Sequence, residues 1–338
     1  MTFRDQVLTT VRGGACDRVP FTCYKGLLPE GGDQIEGIAH ITSAPIFKAE
    51  AEGVTHSSRE LAPGVRQTRM DTPWGPLTQV SHTETGYGSS WVREHWIKRP
   101  EDYCIVEQVL RHTRIAADPA PLAAARKQIG DRGAILAWMN RTPFQRLWIE
   151  YTGMERLAFD LMDCPQAVEG VLDAMLQQAR QLMHITAQSE AELVWVPDNI
   201  TGEITGPPMF ERYLTPYYRE VCDILVPAGK TPCCHMDGIL GPIADAVAQT
   251  PLPVIEAFTP PPDGNLSVRE ARECWPDKTL WLNFPSSVHL APTEEIKRVT
   301  EDLVVQAGRQ EGFLIGVTEN IPASVGTRSL QAIAEALA

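Results

Sequence analysis

Residues 192–199 read ELVWVPDN: four apolar residues, Leu193 to Val196, then Pro197, then the polar pair Asp198 and Asn199. A short, β-branched and aromatic run without polar alternation fits a strand buried on both faces, and proline marks its end. Five more segments repeat the form: GAILAWMN (133–140), KTPCCHMDG (230–238), PVIEAFTP (253–260), KTLWLNFP (278–285) and GFLIGVTEN (312–320). Segments at helical period lie between them, at 165–189, 208–226, 239–249, 267–274 and 293–309. The last carries Glu294 and Glu295 in its first turn, where the helix dipole favours acids. Strands alternating with helices in this number predict an α/β fold with parallel strands, as in a (β/α)8 TIM-type barrel or a doubly wound sheet.

The first 130 residues are less regular. They contain a short amphipathic helix (2–12), an extended RVPFTCY (18–24) and a glycine- and proline-rich KGLLPEGGD (25–33). In 65–84, VRQTRMDTPWGPLTQVSHTE alternates polar and apolar residues around Trp74 and Gly75, which predicts a hairpin. We expect one domain spanning 1–338, with 1–130 as an irregular N-terminal elaboration holding the first barrel strand and 131–338 as regular β/α repeats.

Hydrophobic residues make up 43% and charged residues 22% of the chain, the balance of a globular protein with a sizeable core. A net charge of −13 argues against nucleic acid, which needs clustered Lys and Arg. No stretch approaches the roughly 20 apolar residues of a membrane span, and the first residues have no apolar signal core. The expectation is a cytoplasmic enzyme acting on a small molecule. The eight cysteines show no C-x-x-C pairing, which favours free thiols.

Each strand run ends in groups able to do chemistry: Asn140, Asp198 and Asn199, His235 and Asp237, Glu256, Asn283, and Glu319. In a parallel barrel those ends share one face, which carries the active site. Any one of them is equally an ordinary loop or cap residue, but six strand ends in succession point to a shared pocket. Asp198 and Glu256 follow strongly apolar runs, and a buried carboxylate is costly unless paired or bound to metal. Cys233 and Cys234 are adjacent, so they face opposite sides of a strand and do not ligate one ion together. His235, Asp237 and Glu319 are accepted zinc ligand types. Asp198, Asn199, Glu256 and Asn283 are the candidate catalytic groups, and Asn140, Trp138, Phe258 and Tyr24 the candidate lining of a pocket for a flat substrate.

Taken together, DRVP (17–20), ELVWVPDN, PYYREVCDILVPAGKTPCCHMDG (216–238), IEAFTPPPDGNLSVREA (255–271), LNFPSSVHLAPTEEIKR (282–298) and GFLIGVTENIP (312–322) resemble the uroporphyrinogen decarboxylase superfamily. The resemblance is good from about Asp198 onward and implies a distorted (β/α)8 barrel. True decarboxylases carry an arginine-rich N-terminal motif, whereas PFTCYKGLLPEGG (20–32) offers only Lys25; Glu319 stands where they have a late histidine. The likeness is therefore closer to the corrinoid-dependent methyltransferase branch. Its thiol-methylating members bind zinc through His-x-Cys and a distant Cys; here His235 matches the histidine, while Asp237 and Glu319 stand at the cysteine positions. An oxygen-rich donor set makes zinc a harder Lewis acid, suited to an ether or phenol oxygen.

The resemblance thus implies a methyltransferase of the O-demethylase type. It would take a methyl group from a small methoxylated aromatic to a corrinoid carried by a partner protein, with zinc held by His235, Asp237, Glu319 and a contribution from Glu256. Two readings stay open beside it: a metal-free decarboxylase or lyase acting on a small carboxylated substrate, and a barrel that binds a ligand without turnover.

Overall fold

All six strand-like runs form strands in the computed structural model, which describes residues 1–84 and 89–338. They are β3 (Gly133–Trp138), β4 (Leu193–Val196), β5 (Thr231–His235), β6 (Val254–Phe258), β7 (Thr279–Asn283) and β8 (Phe313–Val317), preceded by β1 (Phe21–Tyr24) and β2 (Ile38–Pro45). Each strand pairs parallel with its sequence neighbour, and β8 returns to β1, with Phe21 opposite Ile315 and Cys23 opposite Val317. The fold is an α/β barrel of eight parallel strands with an N-terminal elaboration. The first 130 residues supply two barrel strands, where the sequence led us to expect one. In β2, IAHITSAP, small and polar residues interrupt the apolar run, so the pattern that reveals the other strands is absent.

Side-chain alternation divides each strand between the barrel interior and the surrounding helices. Ala39, Ile41, Ala134, Leu136, Leu193, Cys233, Val254, Trp281 and Leu314 form one buried cluster inside the barrel. Helix α1 (Phe3–Val11), started by a capping box between Thr2 and Asp5, adds Val7, Leu8 and Val11 to it. The Thr279 hydroxyl, at the start of β7, donates to the carbonyls of Thr10 (3.4 Å) and Val11 (3.3 Å), so α1 closes the N-terminal end of the barrel. Close approach of β2 and β3 requires Gly133, where a Cβ would lie 1.7 Å from the His40 carbonyl oxygen.

The chain forms two compact units. The barrel unit comprises Met1–Ile46, Asp118–Met139 and Thr186–Ala338; the second comprises Phe47–Ala117 and Asn140–Ile185. The second holds a four-stranded antiparallel sheet that includes the expected hairpin, Val65–Asp71 with Leu77–Thr83. Its helices bury Asp160, which accepts from the Tyr103 hydroxyl (2.9 Å) and pairs with Arg156 (3.0 Å). Among the described residues no helix is long and apolar enough to cross a membrane.

Candidate metal centre and substrate pocket

The inward face of β5 carries Cys233 and then His235; the inward face of β6 carries Val254 and then Glu256. His235 and Glu256 are in register, and His235 Nδ1 meets Glu256 Oε2 at 2.7 Å. The same oxygen accepts from Trp195 Nε1 (2.9 Å), and Oε1 accepts from the Tyr24 hydroxyl (2.6 Å). Glu256 is fully buried, so these three donors are what allow its carboxylate to sit there. Trp195 stands edge-on to both Tyr24 (6.0 Å) and His235 (5.7 Å), which fixes the three rings against one another.

On its other side, His235 Nε2 lies 3.5 Å from Asp237 Oδ2, and Asn199 Nδ2 donates to that same oxygen at 3.2 Å. One donor atom each from His235, Asp237 and Glu319 lies within 4.8 Å of the others. Ligands of a tetrahedral zinc at about 2.0–2.2 Å stand about 3.4 Å apart, so side-chain rotations that move the donor atoms by about an ångström would gather all three on one ion. The residues fit the metal, and Glu256 on Nδ1 leaves Nε2 as the ligating nitrogen, the usual arrangement of a carboxylate behind a zinc histidine.

The charges are tightly balanced. Burial alone would lower the His235 pKa, but the Glu256 and Asp237 carboxylates raise it well above 6.5. Burial would raise Asp237, yet its bonds from His235 and Asn199 hold it below the ordinary value. Glu319 is pushed up by burial and by the neighbouring Asp237 charge. Two carboxylates facing one another beside a histidine form a site that a cation would relieve.

Beside this cluster lies a cavity of about 360 Å³, walled by Tyr24, Leu27, Ile41, Leu136 and Trp195, with Lys25, Thr42 and Ser43 as its polar lining. That is within the range of about 300–1,000 Å³ found for small-molecule sites. Tyr24 and Trp195 serve both features, since they line the cavity and hold Glu256.

Several candidates from the sequence fall elsewhere. Asp198 is fully buried, but its Oδ2 accepts from the Tyr218 hydroxyl (2.7 Å) and lies 3.9 Å from Cys234 Sγ, on the helix-facing side of the strands. Phe258 is also buried on that side, edge-on to Trp275 at 5.9 Å, so it does not line the pocket. The cause is a bulge: Ala257 has φ 61° and the β6–β7 register shifts between Glu256 and Phe258, turning Phe258 outward and Thr259 inward. Asn283 spends both ends of its amide on the strand tips, donating from Nδ2 to Thr259 Oγ1 (3.4 Å) and accepting at Oδ1 from the Thr318 amide (3.0 Å). Trp138 ends β3 in register with Trp195 and is 38% exposed. Asn140 opens a segment of the second unit. Glu256, expected as a further zinc contact, has both oxygens committed to the histidine, tryptophan and tyrosine. Trp195 is a residue that sequence reasoning missed; a buried indole N–H needing an acceptor is the signal that could have found it.

Residues 149–338, more than half of the 338, match the family described as Uroporphyrinogen decarboxylase (URO-D). Among solved structures, a methyltransferase from Methanosarcina mazei aligns over 99% of this chain and 98% of that one, with TM-score 0.61 and 11% identity. A Listeria monocytogenes protein described as a vitamin-B12 independent methionine synthase aligns over 62% of this chain and 64% of that one, at TM-score 0.35 and 12% identity. At these identities the likeness is one of fold, and the second carries no argument. No curated protein gives a significant sequence match.

Proposed function

The chain belongs to the uroporphyrinogen decarboxylase family, and from that premise we propose that it is a zinc-dependent methyltransferase of the O-demethylase type, taking the methyl group of a small methoxylated aromatic to a corrinoid on a partner protein. The observation that carries this reading is the His235–Asp237–Glu319 cluster, two oxygen donors and one nitrogen within reach of a single ion. A zinc ion held by His235, Asp237 and Glu319 would supply Lewis acidity toward an ether oxygen.

The chain's own residues would do the rest. Tyr24 and Trp195 hold Glu256, Glu256 holds the His235 ring with Nε2 toward Asp237, and Asn199 fixes the Asp237 carboxylate. Such support keeps the ligand atoms from rearranging during reaction. The apolar walls of the neighbouring cavity suit an aromatic ring and exclude water from the departing oxygen. Decarboxylation of a substrate bearing many carboxylates is less well supported, because Lys25 is the one basic residue of that cavity's lining.

Metal analysis tests the proposal. Purified wild-type protein should hold about one equivalent of zinc per chain, and His235→Ala and Glu319→Ala should each lose it. Wild-type protein that is free of metal, yet binds methoxyarenes unchanged in chelator, would sink the zinc reading.

A further inference from the structure

Asp198 and Asn199, which follow β4, reach to opposite sides of the barrel wall. Asp198 is fully buried and accepts at Oδ2 from the Tyr218 hydroxyl (2.7 Å), carried by helix Thr215–Leu225 outside the barrel. Cys234 Sγ lies 3.9 Å from the same oxygen, and within β5 Cys234 alternates with Cys233 of the interior cluster, so it too faces the helices. Burial and the Asp198 charge raise the Tyr218 pKa well above 10, so its hydroxyl keeps the proton it donates. Asn199 reaches the other way, from Nδ2 to Asp237 Oδ2 at 3.2 Å.

The turn that divides them is strained. Asn199 has φ 54°, in the left-handed region that residues other than glycine, Asn and Asp rarely occupy. Such a backbone persists where its surroundings over-determine it. Downstream, the Ile200 amide donates to the His235 carbonyl (3.4 Å) and the Gly238 amide to the Ile200 carbonyl (3.0 Å). The two segments run so close that a Cβ at Gly238 would stand 2.4 Å from that of Thr201. Upstream, the Tyr218–Asp198 bond anchors the turn. We propose that Asp198 and Tyr218 are positioning residues: their bond outside the barrel fixes the turn that aims Asn199 at Asp237, and so holds one ligand of the metal cluster in place. The inference rests on the reading of His235, Asp237 and Glu319 as zinc ligands.

A double-mutant cycle of Tyr218→Phe and Asn199→Ala tests it, read as zinc affinity in competition with a chelator. Partners behind a metal ligand are worth about 10- to 100-fold in affinity, so Asn199→Ala should weaken zinc about tenfold. Tyr218→Phe, one bond further away, should weaken it about three- to tenfold, but less than about twofold once Asn199 is gone, because no amide is left to aim. The same factor in both backgrounds, or no effect in either, would overturn the inference, since the hydroxyl would then be merely structural. Asp198→Asn keeps an acceptor for Tyr218 without the charge and should hold zinc within about threefold of wild type; a larger loss would mean that Asp198 acts through its charge, and overturns positioning. Should Tyr218→Phe not fold, Tyr218→Phe combined with Asp198→Leu, which strands no buried charge, takes its place in the cycle with the same expectation. If wild-type protein holds no zinc, the zinc reading fails on its own account, and the cycle is read in urea unfolding of the metal-free proteins. Independent sites add there within about twofold in the unfolding constant, so a larger departure sustains the tie between Tyr218 and Asn199, and additivity overturns it.

Discussion

Glu256 concentrates the chemistry of the barrel mouth in one carboxylate. Three donors converge on it, and hydrogen bonds to a charged group are worth about 1.5–3 kcal/mol each when both partners are present. Removing the acceptor strands all three, so Glu256→Ala should lose about 3–5 kcal/mol in urea unfolding. Glu256→Gln preserves shape and folds, but the His235 ring loses the charge behind it; zinc affinity should fall about 10- to 100-fold in competition with a chelator. Unchanged zinc affinity in that variant would show that the carboxylate does not position the histidine. The sequence announced Glu256, His235 and Asp237 because each breaks an apolar run. It did not announce which side of the wall each polar residue faces: Asp198 lies three positions after the inward Trp195 and so faces the helices, while Asn199 faces in and reaches Asp237. Phe258 misleads for the opposite reason, since its parity with Glu256 is inverted by a bulge at Ala257, a residue type that gives no hint of a left-handed backbone.

The elements that follow the strands carry a second kind of buried group. His289, in the turn Ser286–Leu290 after β7, is 1% exposed and bonds through Nδ1 to Ser329 Oγ at 2.6 Å, on helix Gly326–Ala336. Burial lowers its pKa from 6.5 to about 4. Above pH 6.5 neither the folded nor the unfolded chain protonates this histidine, and its contact with the C-terminal helix is intact. As the pH falls from 6.5 toward about 4, the unfolded chain takes up a proton that the folded protein refuses, so stability declines across that window by about 3 kcal/mol. His289→Gln should flatten this part of the profile when urea unfolding is compared at pH 7.5 and pH 4.5; an equal slope in both proteins would locate the titration elsewhere. Elements of this size were largely legible. Helix Thr293–Ala307 lies where the acids of its first turn predict, and Ser267 caps Val268–Cys274 with Glu270 in a capping box. Helix 208–226 was legible in extent but not in detail, because Gly206, Pro207 and Pro208 start it with a kink and a wide turn follows before Thr215–Leu225.

Closure of the barrel is a property of the whole chain, since β1 must find β8 across nearly the full length of the sequence. Two features tie that seam. The Trp281 indole donates to the Thr22 hydroxyl (3.0 Å), and that hydroxyl donates to the Ile315 carbonyl (3.3 Å), so β7, β1 and β8 are held from inside. Helix α1 then covers the open end with Val7, Leu8 and Val11, which are 0%, 7% and 1% exposed. Burying each such side chain is worth about 1.5–3 kcal/mol, so α1 contributes about 5–9 kcal/mol through these three alone, comparable to the total stability of an ordinary domain at about 5–15 kcal/mol. The barrel therefore depends on residues far from its metal cluster. A chain lacking residues 1–12 should show no cooperative unfolding transition and should fail to retain zinc. Val11→Ala should remain folded, lose about 1–3 kcal/mol and keep full zinc content, because the cluster at the opposite end of the strands is untouched. Circular dichroism during urea titration, with metal analysis of the same samples, checks both. A truncated chain that melts cooperatively within a few degrees of the full-length protein would mean that the strands close without their plug.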